Sequence, residues 1–286
     1  MSYRCWAMVF VAIQHCCLSL GAQDVEVTRI ADRINQVAFA SRAFDERKHF
    51  CVVLPSNYDS TQADWPVLYF LHGRGRSDRS LIDVPSTRDA LLSASFVTVL
   101  PNGEDGWYLD SPVNAKNLYA RLLGEVIDVV ETKYHVSRKP QLRAIAGWSM
   151  GGYGSLHIAA THPKEFALVA SIIGLIDFPR AGLPEGQSYV VPTATFGSSE
   201  ADWKKLNPLN SAEKLRGAKV LLIAADQAFD RTMNENCRDR LRQLQIEHEW
   251  IMLRGGHQFE VVQKAVPMVI ERVQAKFGEA ASVDRR

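Results

Sequence analysis

Leu142-Arg143-Ala144-Ile145-Ala146-Gly147-Trp148-Ser149-Met150-Gly151-Gly152-Tyr153-Gly154 is the stretch on which the reading of this chain turns. Residues 142–146 form a short, largely apolar run of the length expected for a buried strand, and residues 153–160 are helix-compatible. Between them lies the pattern G-x-S-x-G, so the stretch reads as strand, tight turn, helix. Glycines two before and two after Ser149 leave room for a strained turn that lifts the hydroxyl above the edge of a sheet. The turn also places Ser149 at the start of a helix, where unpaired backbone N–H groups favour a developing negative charge.

Working outward, runs of the same form recur at 67–71, 96–100, 168–173, 220–225 and 250–253, preceded by β-rich segments at 36–40 and 50–54. Continuous apolar runs imply strands buried on both faces, the signature of a parallel sheet. Helical periods lie between them: Leu118, Leu122, Val126 and Val129, then Met233, Cys237, Leu241 and Leu244, then Val262, Val266, Val269, Val273 and Phe277. The pattern predicts an α/β fold, a mostly parallel central sheet with helices on both faces and antiparallel strands at its N-terminal edge. Residues 178–195, with Pro179, Gly182, Pro184, Gly186 and Pro192, read as a long irregular excursion over the sheet.

A chain of 286 residues with 47% hydrophobic content suits one large domain. Residues 1–22 read as a signal peptide, with Arg4 before an apolar core and small residues at Gly21-Ala22, which leaves 23–286 as a single domain. Localisation is then secreted or periplasmic, with no stable membrane insertion after cleavage. Lysine plus arginine number 33 against 32 acidic residues, a balance that offers nothing to nucleic acid, so the expected partner is a small molecule. Cys51 and Cys237 are the two cysteines outside the leader and read as small buried hydrophobes. No cluster has the spacing of a metal site.

A serine hydroxyl needs a base within hydrogen-bond reach and an acid to orient that base. His257, in Arg254-Gly255-Gly256-His257 between the last strand and the last helix, holds the base position in the chain order serine, acid, histidine. The acid has three candidates. Asp226, closest to the end of the strand 220–225, is the expected acid. Asp230, four residues on, is either the acid, if the loop folds back, or the N-cap of the helix that follows. Asp177 comes third. The oxyanion donors are expected to be the N–H of Met150, after the nucleophile, and that of Arg74 in the loop His72-Gly73-Arg74-Gly75, which His72 would brace.

With these residues in view, the chain resembles the esterase branch of the α/β-hydrolases, which holds esterase D-like enzymes, feruloyl and acetylxylan esterases and the antigen 85 mycolyltransferases. The resemblance runs from about residue 50 to residue 277. It is carried by Leu71-His72-Gly73-Arg74-Gly75, Pro101-Asn102-Gly103 with Trp107-Tyr108 and Asp110-Ser111-Pro112, the serine turn, Pro163 with Phe166, and Gly255-Gly256-His257. It implies carboxylic-ester hydrolysis through an acyl-enzyme with no metal and no organic cofactor, on small-molecule or carbohydrate-linked esters. It also implies that Trp107 and Tyr108 line the substrate side of the site. An acyltransferase or peptidase using the same triad is the alternative, and a non-catalytic binding domain on a hydrolase fold is the next. Family members commonly place a glycine at the end of the acid strand and the aspartate three residues later. Here Ala225 holds the glycine-like position and that offset falls on Ala228, so the resemblance does not choose the acid.

Overall fold

A computed structural model describes residues 24–283; the signal-peptide reading of residues 1–22 lies outside the described residues. Its strands in chain order are β1 (Val25–Ala31), β2 (Ile34–Ser41), β3 (Glu46–Val53), β4 (Val67–Leu71), β5 (Val97–Pro101), β6 (Arg143–Trp148), β7 (Leu168–Ile172), β8 (Lys219–Ala225) and β9 (His248–Leu253). Its helices are α1 (Pro85–Leu92), α2 (Tyr119–Tyr134), α3 (Met150–Thr161), α4 (Thr193–Phe196), α5 (Glu200–Leu206), α6 (Arg231–Gln243) and α7 (Phe259–Val283).

One sheet takes all nine strands in the order β1-β2-β3-β5-β4-β6-β7-β8-β9. The first three form an antiparallel meander that joins β5 antiparallel, and from β5 to β9 every pairing is parallel. Every residue of β4, β5, β6 and β7 is buried, as their unbroken apolar runs require of strands covered on both sides. Alternate side chains divide them between two cores. Tyr69, Val99, Ile145 and Leu222 pack with α2, α3 and α6; Phe70, Ala146, Ile172 and Ile223 pack with α1 and α7 on the opposite face. Each fully buried aliphatic side chain contributes about 1.5–3 kcal/mol, so the two cores are the main source of stability.

The expected elements are present with shifted ends, and β1, none of whose residues is fully buried, is defined by its ladder to β2. The excursion after β7 runs as irregular chain from 174 to 192 before the short α4. Cys51 and Cys237 are free and buried, and burial pushes the Cys237 thiol up to about 12, so neither behaves as a nucleophile near neutrality. Among the described residues no helix is long and apolar enough to cross a membrane.

Candidate active site

The loops that leave β4, β6, β8 and β9 converge at one edge of the sheet, where the carboxyl ends of parallel strands gather ligand-binding groups. Ser149 stands between the end of β6 and the first residue of α3 with φ 55° and ψ −118°, a backbone region that non-glycine residues occupy only when held there. Its N–H donates to the carbonyl of Ile172 at 3.0 Å, and its carbonyl accepts from Tyr153 N–H at 3.1 Å. The flanking glycines allow the crossing: a Cβ on Gly147 would overlap the Gly151 carbonyl, and one on Gly151 would overlap the Leu71 carbonyl. The helix therefore starts against the end of β4, with Met150 as its first residue.

From that turn the Ser149 Oγ lies 2.9 Å from Nε2 of His257. The other ring nitrogen, Nδ1, lies 2.6 Å from Oδ1 of Asp230, whose side chain is fully buried. The imidazole thus meets Asp230, the alternative acid, and not Asp226. Asp226 continues straight out of β8, and its Oδ1 accepts the N–H of Gly255 at 2.9 Å. The chain then turns: Gln227 N–H donates to Gly255 O at 2.9 Å, and Arg231 N–H to Ala228 O at 3.1 Å. That turn returns Asp230 to the imidazole as the N-cap residue of α6, its carboxylate accepting no backbone N–H of that helix. The capping position and the contact with His257 are thus properties of the same residue. Asp177, the third candidate, is buried and taken by Arg180, Asn207 and Asn236.

Sequence reasoning missed Asn234. Its Nδ2 lies 2.7 Å from Asp230 Oδ2, 2.9 Å from Asp230 O and 2.9 Å from Gly174 O, all in the core. The signal available was an amide four residues after an acid at a helix start, a spacing that puts both on one face.

The loop after β4 behaves as a braced turn. Arg76 N–H donates to Gly73 O at 3.2 Å, and Gly75 N–H donates to Asp105 Oδ1 at 2.7 Å; neither bond uses the Arg74 amide. Gly73 passes so close to the serine turn that a Cβ there would sit 3.2 Å from Ser149 Cβ. Gly103 N–H donates to His72 Nε2 at 2.9 Å, which puts the ring proton on Nδ1, and Nδ1–H donates to Gly73 O at 2.8 Å. Burial holds the His72 pKa below the ordinary histidine value, in keeping with a neutral strut.

Trp107 and Tyr108 do not line the cavity at Ser149; each is 1% exposed. Both adopt positive φ, 59° and 52°, which turns the pair inward. Trp107 stacks on Phe178 at 5.0 Å and meets Tyr153 and Phe196 edge-on, while Tyr108 Oη accepts the His72 N–H at 3.0 Å. Their effect on the site is indirect, through the loop they hold. The cavity itself, 170 Å³, is walled by Gly73, Trp148, Ile173, Phe259 and Val262 beside Ser149 and His257. Arg74 and Arg76 also border it.

The excursion reaches this edge at two places. Arg74 Nη1 donates to Tyr189 Oη at 2.9 Å, and the Tyr189 ring stacks on Phe229, which lies 4.5 Å from the His257 ring. Two residues earlier, Gln187 Oε1 accepts the N–H of Thr232 at 3.0 Å, and its Nε2 donates to Ala228 O at 3.3 Å.

The strand order, the strained serine turn between β6 and α3, and a histidine after the last strand define an α/β-hydrolase. The chain belongs to the esterase family described as "Putative esterase", which matches residues 41–264. Among curated proteins, the Esterase Rv1288 of Mycobacterium tuberculosis is 29% identical over 242 residues, covering 73% of this chain and 52% of that protein. The chain thus spans about half the length of that relative. An acetyl esterase of Caldicellulosiruptor saccharolyticus is 23% identical over 257 residues, covering 83% of this chain and 97% of the relative. Among solved structures a ferulic acid esterase superposes with a TM-score of 0.72 at 22% identity, over 85% of this chain and 98% of that one, a likeness of fold.

Proposed function

We propose that the protein hydrolyses carboxylic esters of short acyl groups through an acyl-enzyme on Ser149. The carrying observation is the unbroken line from Ser149 Oγ to His257 Nε2 at 2.9 Å and from His257 Nδ1 to Asp230 Oδ1 at 2.6 Å. His257 takes the Ser149 proton as Oγ attacks the ester carbonyl, and Asp230 holds the ring in the tautomer that leaves Nε2 free to accept. The oxyanion is held by the N–H groups of Met150 and Arg74. The imidazolium then returns its proton to the departing alcohol, and a water, deprotonated by the same ring, releases the acid. A cavity of 170 Å³ supports a small acyl group. Membership of the esterase family and similarity to an acetyl esterase support the ester as substrate, and carbohydrate-linked acetate is the leading natural form. The leader-like residues 1–22 support a secreted or periplasmic site of action.

The test is labelling with a fluorophosphonate and location of the modified peptide by mass spectrometry, alongside turnover of 4-nitrophenyl acetate. Modification of Ser149 that is absent in Ser149→Ala and His257→Ala is expected. A folded wild-type protein that neither labels nor turns over short esters would overturn the reading.

A further inference from the structure

Three arginines, Arg74, Arg76 and Arg79, leave the loop after β4, and two of them are engaged. Arg74 faces Asp105 at 3.5 Å and donates to Tyr189, and Arg79 pairs with Asp83 at 2.7 Å. Arg76 differs. Among the described residues its guanidinium has no carboxylate within ion-pair distance, and it lies over the Phe259 ring, 5.0 Å from the centroid, on the wall of the Ser149 cavity.

The surroundings favour an anion there. No carboxylate lines that cavity, whose remaining walls include Trp148, Ile173 and Val262, and the Arg76 side chain is exposed where it borders the opening. The 25-residue α7 begins at Phe259 on the wall of that cavity, with Glu260 exposed in its first turn. Glu104 and Asp105 border an adjoining cleft with Arg76 but are already engaged: Glu104 by Lys48 and Tyr119, and Asp105 by the Gly75 N–H and Arg74. Held over the Phe259 ring, the Arg76 guanidinium keeps donors free for a carboxylate, which its planar fork can take with two parallel hydrogen bonds.

We propose that Arg76 is a specificity-determining residue that binds a carboxylate carried by the ester substrate, so that the site prefers anionic esters to neutral ones of the same shape. This rests on the esterase reading above. The carboxylate has two sources, the acyl group or the alcohol, and the test has an arm for each. On the acyl side, kcat/KM for 4-nitrophenyl hydrogen succinate is compared with that for 4-nitrophenyl 4-methylpentanoate. On the alcohol side, 4-carboxyphenyl acetate is compared with 4-isopropylphenyl acetate. Each anionic-to-neutral ratio is measured for wild type, Arg76→Gln and Arg76→Lys, so that intrinsic ester reactivities cancel.

In the arm that carries the natural charge, the ratio is expected to fall about tenfold or more in Arg76→Gln and to recover in large part in Arg76→Lys. The wild-type ratio should also fall as salt is raised, through screening. Ratios unchanged in both arms for Arg76→Gln would overturn the inference while leaving the esterase reading intact. Binding of monomethyl succinate and of 4-carboxyphenyl acetate to Ser149→Ala protein, followed by ligand-detected NMR, gives a readout free of turnover for each source of charge. The ligand that carries the natural charge should bind more weakly to Ser149→Ala/Arg76→Gln, and equal binding of both ligands by the two proteins would overturn the inference independently of catalysis.

Discussion

Asn234 holds the carboxylate that meets the imidazole: its Nδ2 lies 2.7 Å from Oδ2 of Asp230, while Oδ1 of the same carboxylate lies 2.6 Å from His257 Nδ1. One oxygen is thereby fixed by the helix and the other is presented to the base. Asp230 cannot rotate toward its own helix N-terminus without breaking both bonds, which is why a residue at an N-cap position makes no cap.

The assignment of Asp230 rather than Asp226 separates by substitution. Asp230→Asn is expected to lower kcat for 4-nitrophenyl acetate by about a thousandfold to ten-thousandfold, since the amide favours the wrong tautomer. Asp226→Asn replaces an acceptor for the Gly255 N–H and should cost about tenfold or less. Comparable losses in both variants would contradict the assignment.

Asn234→Ala removes a donor shared by two carbonyls and a carboxylate in the core, so stability should fall by about 1–3 kcal/mol in urea denaturation, with kcat reduced about tenfold. Asn234→Asp keeps the shape but adds a like charge beside Asp230. It should lower kcat by about tenfold or more, because the second carboxylate repels Asp230 and withdraws the donor that fixes it. A wild-type kcat in a folded Asn234→Asp protein would count against the coupling.

At Gly151 a methyl group meets the Leu71 carbonyl, which belongs to backbone and cannot swing aside. Gly151→Ala should therefore cost about 2 kcal/mol or more and displace the nucleophile. Retention of wild-type stability and fluorophosphonate labelling would show that the β4 to α3 crossing is softer than its geometry indicates.

Stability should decline as pH is lowered from 7 toward 4. Burial, with repulsion from His162, lowers the His157 pKa to about 4, and burial lowers that of His72. A histidine depressed in the folded state contributes fully above its unfolded value of about 6.5, and the contribution is lost as pH falls toward the folded value. His49, raised by its hydrogen bond to Asp78, works in the opposite sense: its contribution is complete below about 6.5 and is lost as pH rises through the raised value. His157→Gln should make the acid-side decline shallower in urea titrations between pH 7 and 4. An unchanged slope would show that His157 is not a source of the decline.

The sheet was legible because β4 to β8 are buried on both faces, which forces unbroken apolar runs, and Ser149 and His257 were legible because backbone geometry demands glycine around each. The carboxylate that meets the imidazole was not, since it depends on the path of residues 226–230, set by bonds between two loops far apart in sequence, Asp226 with Gly255 and Gln227 with Gly255. Trp107 and Tyr108 misled for a similar reason: an aromatic pair in a loop has the same composition whether it faces the cavity or, through two positive φ values, the core. The excursion was recognised as irregular, but nothing in its sequence marks Tyr189 as the partner of Arg74.

Between residues 182 and 192 the excursion meets the site through side chains, Tyr189 at Arg74 and Phe229 and the Gln187 amide at Ala228 and Thr232. No ladder of backbone bonds fixes the path of the chain between those rivets. Substitution at Gln187 or Tyr189 can therefore re-cut this stretch without touching the ladders that hold Ser149 beside His257. The frame and its cover are mechanically separate parts.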